Sequence, residues 1–215
     1  MKYVTYREEN VTVSEEKCER AKKNIVQGNG KVRWYQYILR KLRFASEAGK
    51  EGRDKESSPR FYLCWFKEKN KKLRMYLEKK YQQNGIFFKT CEEVTEAECK
   101  NILDGKVEWM KNHKKQIFQD FYLQYTLNKI EPWHITEYER ETAVYPHGEY
   151  LTINKKIRRV AGGVTDLFDE DSIRISCLTE GRVMVSSKKL ITLPAILREV
   201  LQNVEDSMEM MAFAN

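Results

Sequence analysis

The sequence predicts an α+β fold in which an antiparallel sheet curls into a barrel or tunnel, with helices packed on the outside. Three observations carry this reading. Segments alternating with period two outnumber helical ones, and turn signals join them into hairpins. The helical stretches are inserted between hairpins, an order that disfavours a parallel α/β sheet. Several strands also carry cations on one face and apolar residues on the other, as a barrel with a polar lumen requires.

The elements follow in chain order. A strand at Tyr3–Glu9 leads into a helix N-capped by Ser14, with Cys18, Ala21, Ile25 and Val26 as its apolar stripe. Gly28-Asn29-Gly30 ends that helix, and an aromatic-rich strand, Trp34–Phe44, follows. The polar stretch 45–60 reads as a loop, Phe61–Phe66 as a strand and Lys67–Lys72 as a charged turn. KLRMYLEKK then alternates cleanly: Leu73, Met75 and Leu77 on one face, and Arg74, Tyr76, Glu78 and Lys80 on the other. Asn84-Gly85 turns this strand into Ile86–Lys89. Thr95 and Glu98 form a capping box that opens a short helix to Leu103. Val107–Leu127 reads as one amphipathic helical stretch, with Val107, Met110, Ile117, Phe121 and Leu127 facing a core. Strands His134–Val144 and Tyr150–Asn154 flank the turn Pro146-His147-Gly148, Asp166–Asp171 is a solvated loop, and Arg182–Lys188 is a further strand. A helix from Pro194 to about Met208 closes the chain.

Composition narrows the function. The chain has 215 residues, enough for one substantial domain, and its 39 basic and 32 acidic residues leave a net charge of +7. An acidic partner is expected: a nucleic acid, an anionic membrane or a phosphate compound. The five cysteines form no CxxC pair and the three histidines are well separated, which argues against zinc and for reduced thiols. Cys64 reads as a small filler, and His113, His134 and His147 as surface or turn residues. No apolar run approaches the ~20 residues that span a bilayer. MKYVTYREEN lacks the apolar segment of a secretory signal, so a cytoplasmic location is expected.

The order of motifs resembles the VTC (vacuolar transporter chaperone) domain, the polyphosphate polymerase domain of the triphosphate tunnel, or CYTH-like, group. Leu39–Phe44 (LRKLRF) is similar to that family's IRSLYFD strand, and Leu77–Lys80 (LEKK) stands where the family has LExK, followed by Lys89. Tyr138–Glu141 (YERE) and Leu151–Arg158 (LTINKKIR) resemble YEREAY and ITFDKxLR, and DLFD and LPAILREVLQ complete the order. The resemblance spans roughly Tyr6 to Gln202, so residues 1–205 are expected to form one domain and 206–215 a tail.

The resemblance implies a tunnel that binds polyphosphate or a nucleoside triphosphate through Lys80, Lys89, Arg140 and Lys188, with Arg74 and Arg40 in the same set. Glu78, Tyr62, Cys64, Tyr138, Tyr150 and Ser186 would line it, and Mn²⁺ or Mg²⁺ would assist phosphoryl transfer, with Glu78 the remaining metal ligand. It also implies a membrane-protein partner at the cytoplasmic face, and no DNA or RNA. No catalytic residue is assigned. Several family positions differ. The two arginines of the YRIRxY strand become Tyr62 and Cys64, and the arginine before ITFD falls on Tyr150. The metal-binding glutamate falls on Ser186 and the aspartate of SLYFD on Ala45. The early lysine of ExK falls on Val11 if Glu9 matches the glutamate.

Three functions are therefore weighed. The first is a polyphosphate polymerase or related triphosphate-processing enzyme. The second is a catalytically degenerate tunnel that binds a polyanion or scaffolds a partner. The third is a basic nucleic-acid binder using the aromatics of KVRWYQYILRKLRF as stacking platforms.

Overall fold

The computed structural model describes residues 2–28, 32–53, 55, 57–69, 71–145, 149–163, 166–190 and 209–210. The expected closing helix and the turn at 146–148 lie outside them. Eight strands close into an antiparallel barrel. In chain order they are β1 (Lys2–Ser14), β2 (Arg33–Ala45), β3 (Arg60–Glu68), β4 (Arg74–Gln83), β5 (Ile86–Val94), β6 (Glu131–Val144), β7 (Glu149–Val160) and, after the short edge strand β8 (Arg174–Ser176), β9 (Arg182–Leu190). Around the barrel the order is β1-β5-β4-β3-β2-β6-β7-β9, and β9 returns to pair with β1. Within the stretch read as a tail, Glu209–Met210 (β10) pairs in parallel with Lys2–Tyr3.

Local chemistry sets the corners. Asn84 and Gly85 take φ of 52° and 72°, the paired left-handed conformations that let a two-residue turn follow the twist of β4 and β5. Pro132, which has no N–H to give, sits where the β2–β6 register shifts, next to Phe44. Lys156, at φ 49°, lies where the β6–β7 register shifts, so the bulge re-aims the second half of β7.

The helices lie outside the barrel. They are α1 (Glu15–Gly28), the single turn α2 (Glu47–Lys50), α3 (Glu96–Leu103) and α4 (Gln116–Leu127). Ser14 ends β1 and its hydroxyl accepts from Lys17 N–H, while Thr95 and Glu98 form the expected capping box at α3. The outward faces of β2–β5 meet α3 and α4 in the main core of Leu42, Phe44, Phe61, Leu63, Leu77, Ile102 and Phe118. Phe121 presents its edge to Phe44 and Phe61 at 5.0 and 5.4 Å. Burying each such side chain is worth about 1.5–3 kcal/mol. α1 covers the other side, with Cys18 against Ile153 and Val183.

Three sequence expectations need correction. Val107–Leu127 is not one helix: a 3₁₀ turn at Glu108–Met110 stops, and α4 starts afresh at Gln116. The polar run between them bonds to itself, His113 Nδ1 accepting from Lys115 N–H, and Leu127 is 73 % exposed. β7 continues through the bulge to Val160, well past Asn154. The segment around Asp166–Asp171 is not merely solvated, because Leu167 is fully buried in the main core.

Candidate anion-binding tunnel

The polar faces of the strands do converge. On β4, Tyr76, Glu78 and Lys80 point into the lumen, and their outward neighbours Met75 and Leu77 go to the core under the helices. In register, Tyr62 faces Glu78, which faces Cys91, and Arg60 faces Lys80, which faces Lys89. Across the barrel, Lys188 stands between Glu8 and Tyr150, Ser186 between Asn10 and Thr152, and Arg140 between Tyr37 and Asn154. Each of these rows follows from the two-residue period of a strand once the register is set.

Five buried or largely buried cations face this lumen: Lys41, Lys80, Lys89, Arg140 and Lys188. Two carboxylates hold four of them. Glu78 accepts from Lys41 at 2.6 Å and from Lys89 at 2.7 Å, one on each oxygen. Glu8 pairs with Lys80 at 3.2 Å and Lys188 at 3.5 Å. Among the described residues Arg140 is held by neutral groups: its Nε donates to Asn154 Oδ1 at 2.7 Å and its Nη2 to the Tyr138 hydroxyl at 3.1 Å. Rings add quadrupolar support: Lys41 Nζ lies 4.2 Å from the centre of Tyr62, and Lys80 Nζ 4.2 Å from that of Phe87.

The charges do not balance. Burial pushes the Glu78 carboxyl up, but Lys41 and Lys89 together outweigh it and hold Glu78 well below the usual carboxylate range. Glu8 is likewise lowered, burial being overcome by Lys188 and Lys80. Lys188 goes the other way. Burial, then Arg140, Lys89 and Lys80, push its ammonium well below the ordinary lysine value, and Glu8 only partly opposes them. Lys80 is lowered too, chiefly by burial. Among the described residues the lumen thus gathers five cations around two carboxylates.

Of the predicted site residues, Lys80, Lys89, Arg140, Lys188, Glu78, Tyr62, Cys64, Tyr138, Tyr150 and Ser186 are brought together around this lumen. Arg74 shares their face but stands at an exposed rim, bonded to Glu93 at 3.2 Å. Arg40 does not belong with them. It points to the outer side, is 1 % exposed, and donates to the carbonyls of Leu167 and Asp169. Alternation reverses its assignment: its neighbour Lys41, which sequence reasoning passed over, faces the lumen. The early strand is also displaced by one residue. Glu8 and Asn10 face inward while Val11 is exposed, so the inward pair is Glu8-x-Asn10 rather than Glu9-x-Val11. The alternation Tyr6, Glu8, Asn10, Thr12 against Val11 and Val13 was the available signal. His134 is half-buried, not a surface residue, and burial together with Arg159 and Arg43 pushes its imidazole down to about 4.

Divalent metal is a poor fit for these side chains. A hard cation wants several free oxygens, yet both Glu78 oxygens and both Glu8 oxygens face ammonium groups, and Ser186 Oγ bonds Asn10 Oδ1 at 2.5 Å. Among the described residues no three His, Cys, Asp or Glu side chains gather into a ligand set. Cys64 offers no nucleophile either, since burial and then Glu78 push its thiol up and keep it protonated. The aromatics of 31–44 form no continuous platform: Trp34 packs with Cys18, Tyr37 with Phe66 in the lumen, and Phe44 in the main core.

Comparison with known proteins places this barrel. Among solved structures, a candidate adenylate cyclase from Bacillus halodurans aligns with a TM-score of 0.52 at 12% identity, over 100% of this chain and 96% of that one. The PH1819 protein from Pyrococcus horikoshii OT3 aligns at 0.49 and 9% identity, over 93% and 85% of the two chains. HpAC1 from Hippeastrum, an adenylyl cyclase candidate described as having a dominant triphosphatase activity, aligns at 0.46 and 8%, over 94% and 84%. No curated protein matches the sequence. The fold is α+β, a closed antiparallel barrel of the triphosphate-tunnel type with helices outside. A sequence profile of the VTC domain matches residues 49–203, a span that includes both the LEKK strand and the YERE strand of the lumen wall. The chain belongs to the VTC domain family.

Proposed function

We propose that the lumen binds a polyphosphate chain or the triphosphate of a nucleotide, and that the domain holds this polyanion without turning it over. The observation that carries the reading is the crowding of Lys41, Lys80, Lys89, Arg140 and Lys188 against only Glu78 and Glu8 among the described lumen residues, where burial, Arg140, Lys89 and Lys80 push the Lys188 ammonium down despite Glu8. A linear phosphate polymer supplies closely spaced negative charge to match it, and a low-dielectric lumen strengthens each contact. Lysines suit this task because an ammonium can swing from a carboxylate to a phosphate oxygen.

The same wall disfavours turnover. Phosphoryl transfer depends on charge neutralisation and positioning, and this wall has Tyr62 and Cys64 where the family has arginines, and Ser186 where it has a carboxylate. On this reading the domain acts in the cytoplasm, presenting a polyanion to a membrane-protein partner. Among the described residues no helix is long and apolar enough to cross a membrane.

Calorimetric titration with tripolyphosphate and with ATP tests the binding. Saturable binding that is lost in Lys188→Gln supports it, and a flat isotherm refutes it. Incubation with ATP and Mn²⁺ tests the silence. Polyphosphate or released phosphate above the level of a Lys188→Gln control would return the domain to the polymerase reading.

A further inference from the structure

We propose a second anion site on the outer wall of the barrel, taking a small phosphate-class dianion such as pyrophosphate or a phosphomonoester. It is a cavity of about 180 Å³ at the β2–β6–β7 wall, separate from the lumen, and it is lined by Arg40, Lys67, Arg158 and Arg174 with Glu137 and Glu170. Trp65 and Ile38 form its apolar side. The inference is independent of the tunnel reading, since it uses none of the lumen side chains.

The outer cluster is built around Glu137. Arg158 Nη2 and Arg174 Nε reach its Oε1 at 2.8 and 3.1 Å, and Arg40 Nε lies 3.5 Å from its Oε2. Three guanidiniums therefore converge on one carboxylate. The fourth cation, Lys67, meets Glu170 only at 3.9 Å. Four cations against two carboxylates leave the cavity with a surplus of two positive charges, the charge a phosphate dianion supplies. The buried Arg158 Nε has no hydrogen-bond partner among the described residues, and Arg40 Nε, in a side chain 1 % exposed, has only the long 3.5 Å ion-pair contact with Glu137. Buried donors of this kind are ordinarily satisfied, so their presence beside a cationic cavity points to a missing acceptor. Planar guanidinium forks match phosphate oxygens better than ammonium groups do.

The geometry also fixes what binding would do. Arg40 donates to the carbonyls of Leu167 and Asp169, and Arg174 to those of Ser172 and Glu170, at 3.0 and 2.7 Å for the latter two. Arg40 thus ties the 166–176 segment to β2, and Arg174, itself in that segment, folds it locally and ties it to β6 through Glu137. An anion that immobilises them slows the opening of that segment.

Hydrogen exchange with pyrophosphate tests this directly. In the wild-type chain, pyrophosphate is expected to protect amides of 166–176, and Lys188→Gln, which disables the lumen, is expected to keep that protection. Lys67→Gln combined with Arg158→Gln is expected to lose it, with at least a tenfold weaker midpoint, while lumen binding of tripolyphosphate persists. Arg158→Lys, which keeps the charge and the fold but loses the fork, is expected to fall between. Protection that vanishes in Lys188→Gln, or that survives in the double variant, overturns the outer site. Failure of tripolyphosphate binding alone overturns only the tunnel reading.

Discussion

Two buried clusters in this barrel solve the same electrostatic problem with different residues. Inside, Glu78 and Glu8 each hold two lysines; outside, Glu137 gathers three arginines. Two of the outer arginines, Arg40 and Arg174, are also pinned by backbone carbonyls, which fixes the frame around Glu137. The inner lysines pair with Glu78 and Glu8, and an ammonium on a flexible stem can exchange one oxygen partner for another. On the proposed reading, binding in the lumen replaces carboxylate by phosphate at mobile ammonium groups, whereas the outer cavity presents planar guanidinium forks.

The largest effect should come from breaking an inner pair. Glu78→Gln keeps the shape but leaves Lys41 and Lys89 buried without their counter-charge, and is expected to cost about 3–5 kcal/mol in urea unfolding. The acid limb carries the same signature. Glu78 and Glu8 are depressed in the folded state, so their stabilisation is fully present above the unfolded value of 4.5 and is lost as pH falls below it. Wild type should therefore lose stability in that window, and Glu78→Gln should flatten the loss.

Next comes Lys188→Gln. Charged hydrogen bonds contribute about 1.5–3 kcal/mol, so tripolyphosphate affinity should drop roughly 10- to 100-fold in calorimetry. Because Lys188 is strained in the empty lumen, stability without ligand should stay level or rise. A large loss of stability would show that Lys188 is part of the frame, as the outer arginines are.

A smaller effect concerns protons. The folded Lys188 has a lowered pKa, and an anion raises it, so binding takes up a proton as pH climbs toward the ordinary value of 10.5. Affinity should fall by a few-fold over that rise, and titration in buffers of different ionisation enthalpy should register the uptake. Lys188→Gln should abolish it. The smallest effect is expected at the rim: Arg74→Gln removes an exposed pair with Glu93 and should change stability by less than about 1 kcal/mol.

What could be read from the chain tracks how cleanly each strand separates its faces. KLRMYLEKK was legible because Met75 and Leu77 go to the helix-covered core while Glu78 and Lys80 go inward. β2 was not. Leu39 and Leu42 are both buried, one in the lumen cluster and one in the main core, so apolarity marks neither face and Arg40 was exchanged for Lys41. On β1 the inward and outward faces both mix polar and apolar residues, which hid Glu8. The 166–171 segment conceals its one buried anchor, Leu167, among acidic neighbours. The arginine cluster around Glu137 joins residues from β2, β6, β7 and β8, and no spacing within one strand could announce it.

Lys41 stands directly across from Cys64 in the β2–β3 register, where the family resemblance expects an arginine, and its ammonium reaches the Glu78 carboxylate. A ligand inside a barrel responds to the summed potential of the wall and is indifferent to which strand supplies each charge. A cation can therefore migrate to the adjoining strand during divergence while the field at the axis is largely preserved. Strand-by-strand comparison scores such a move as a loss even where the potential at the axis is kept.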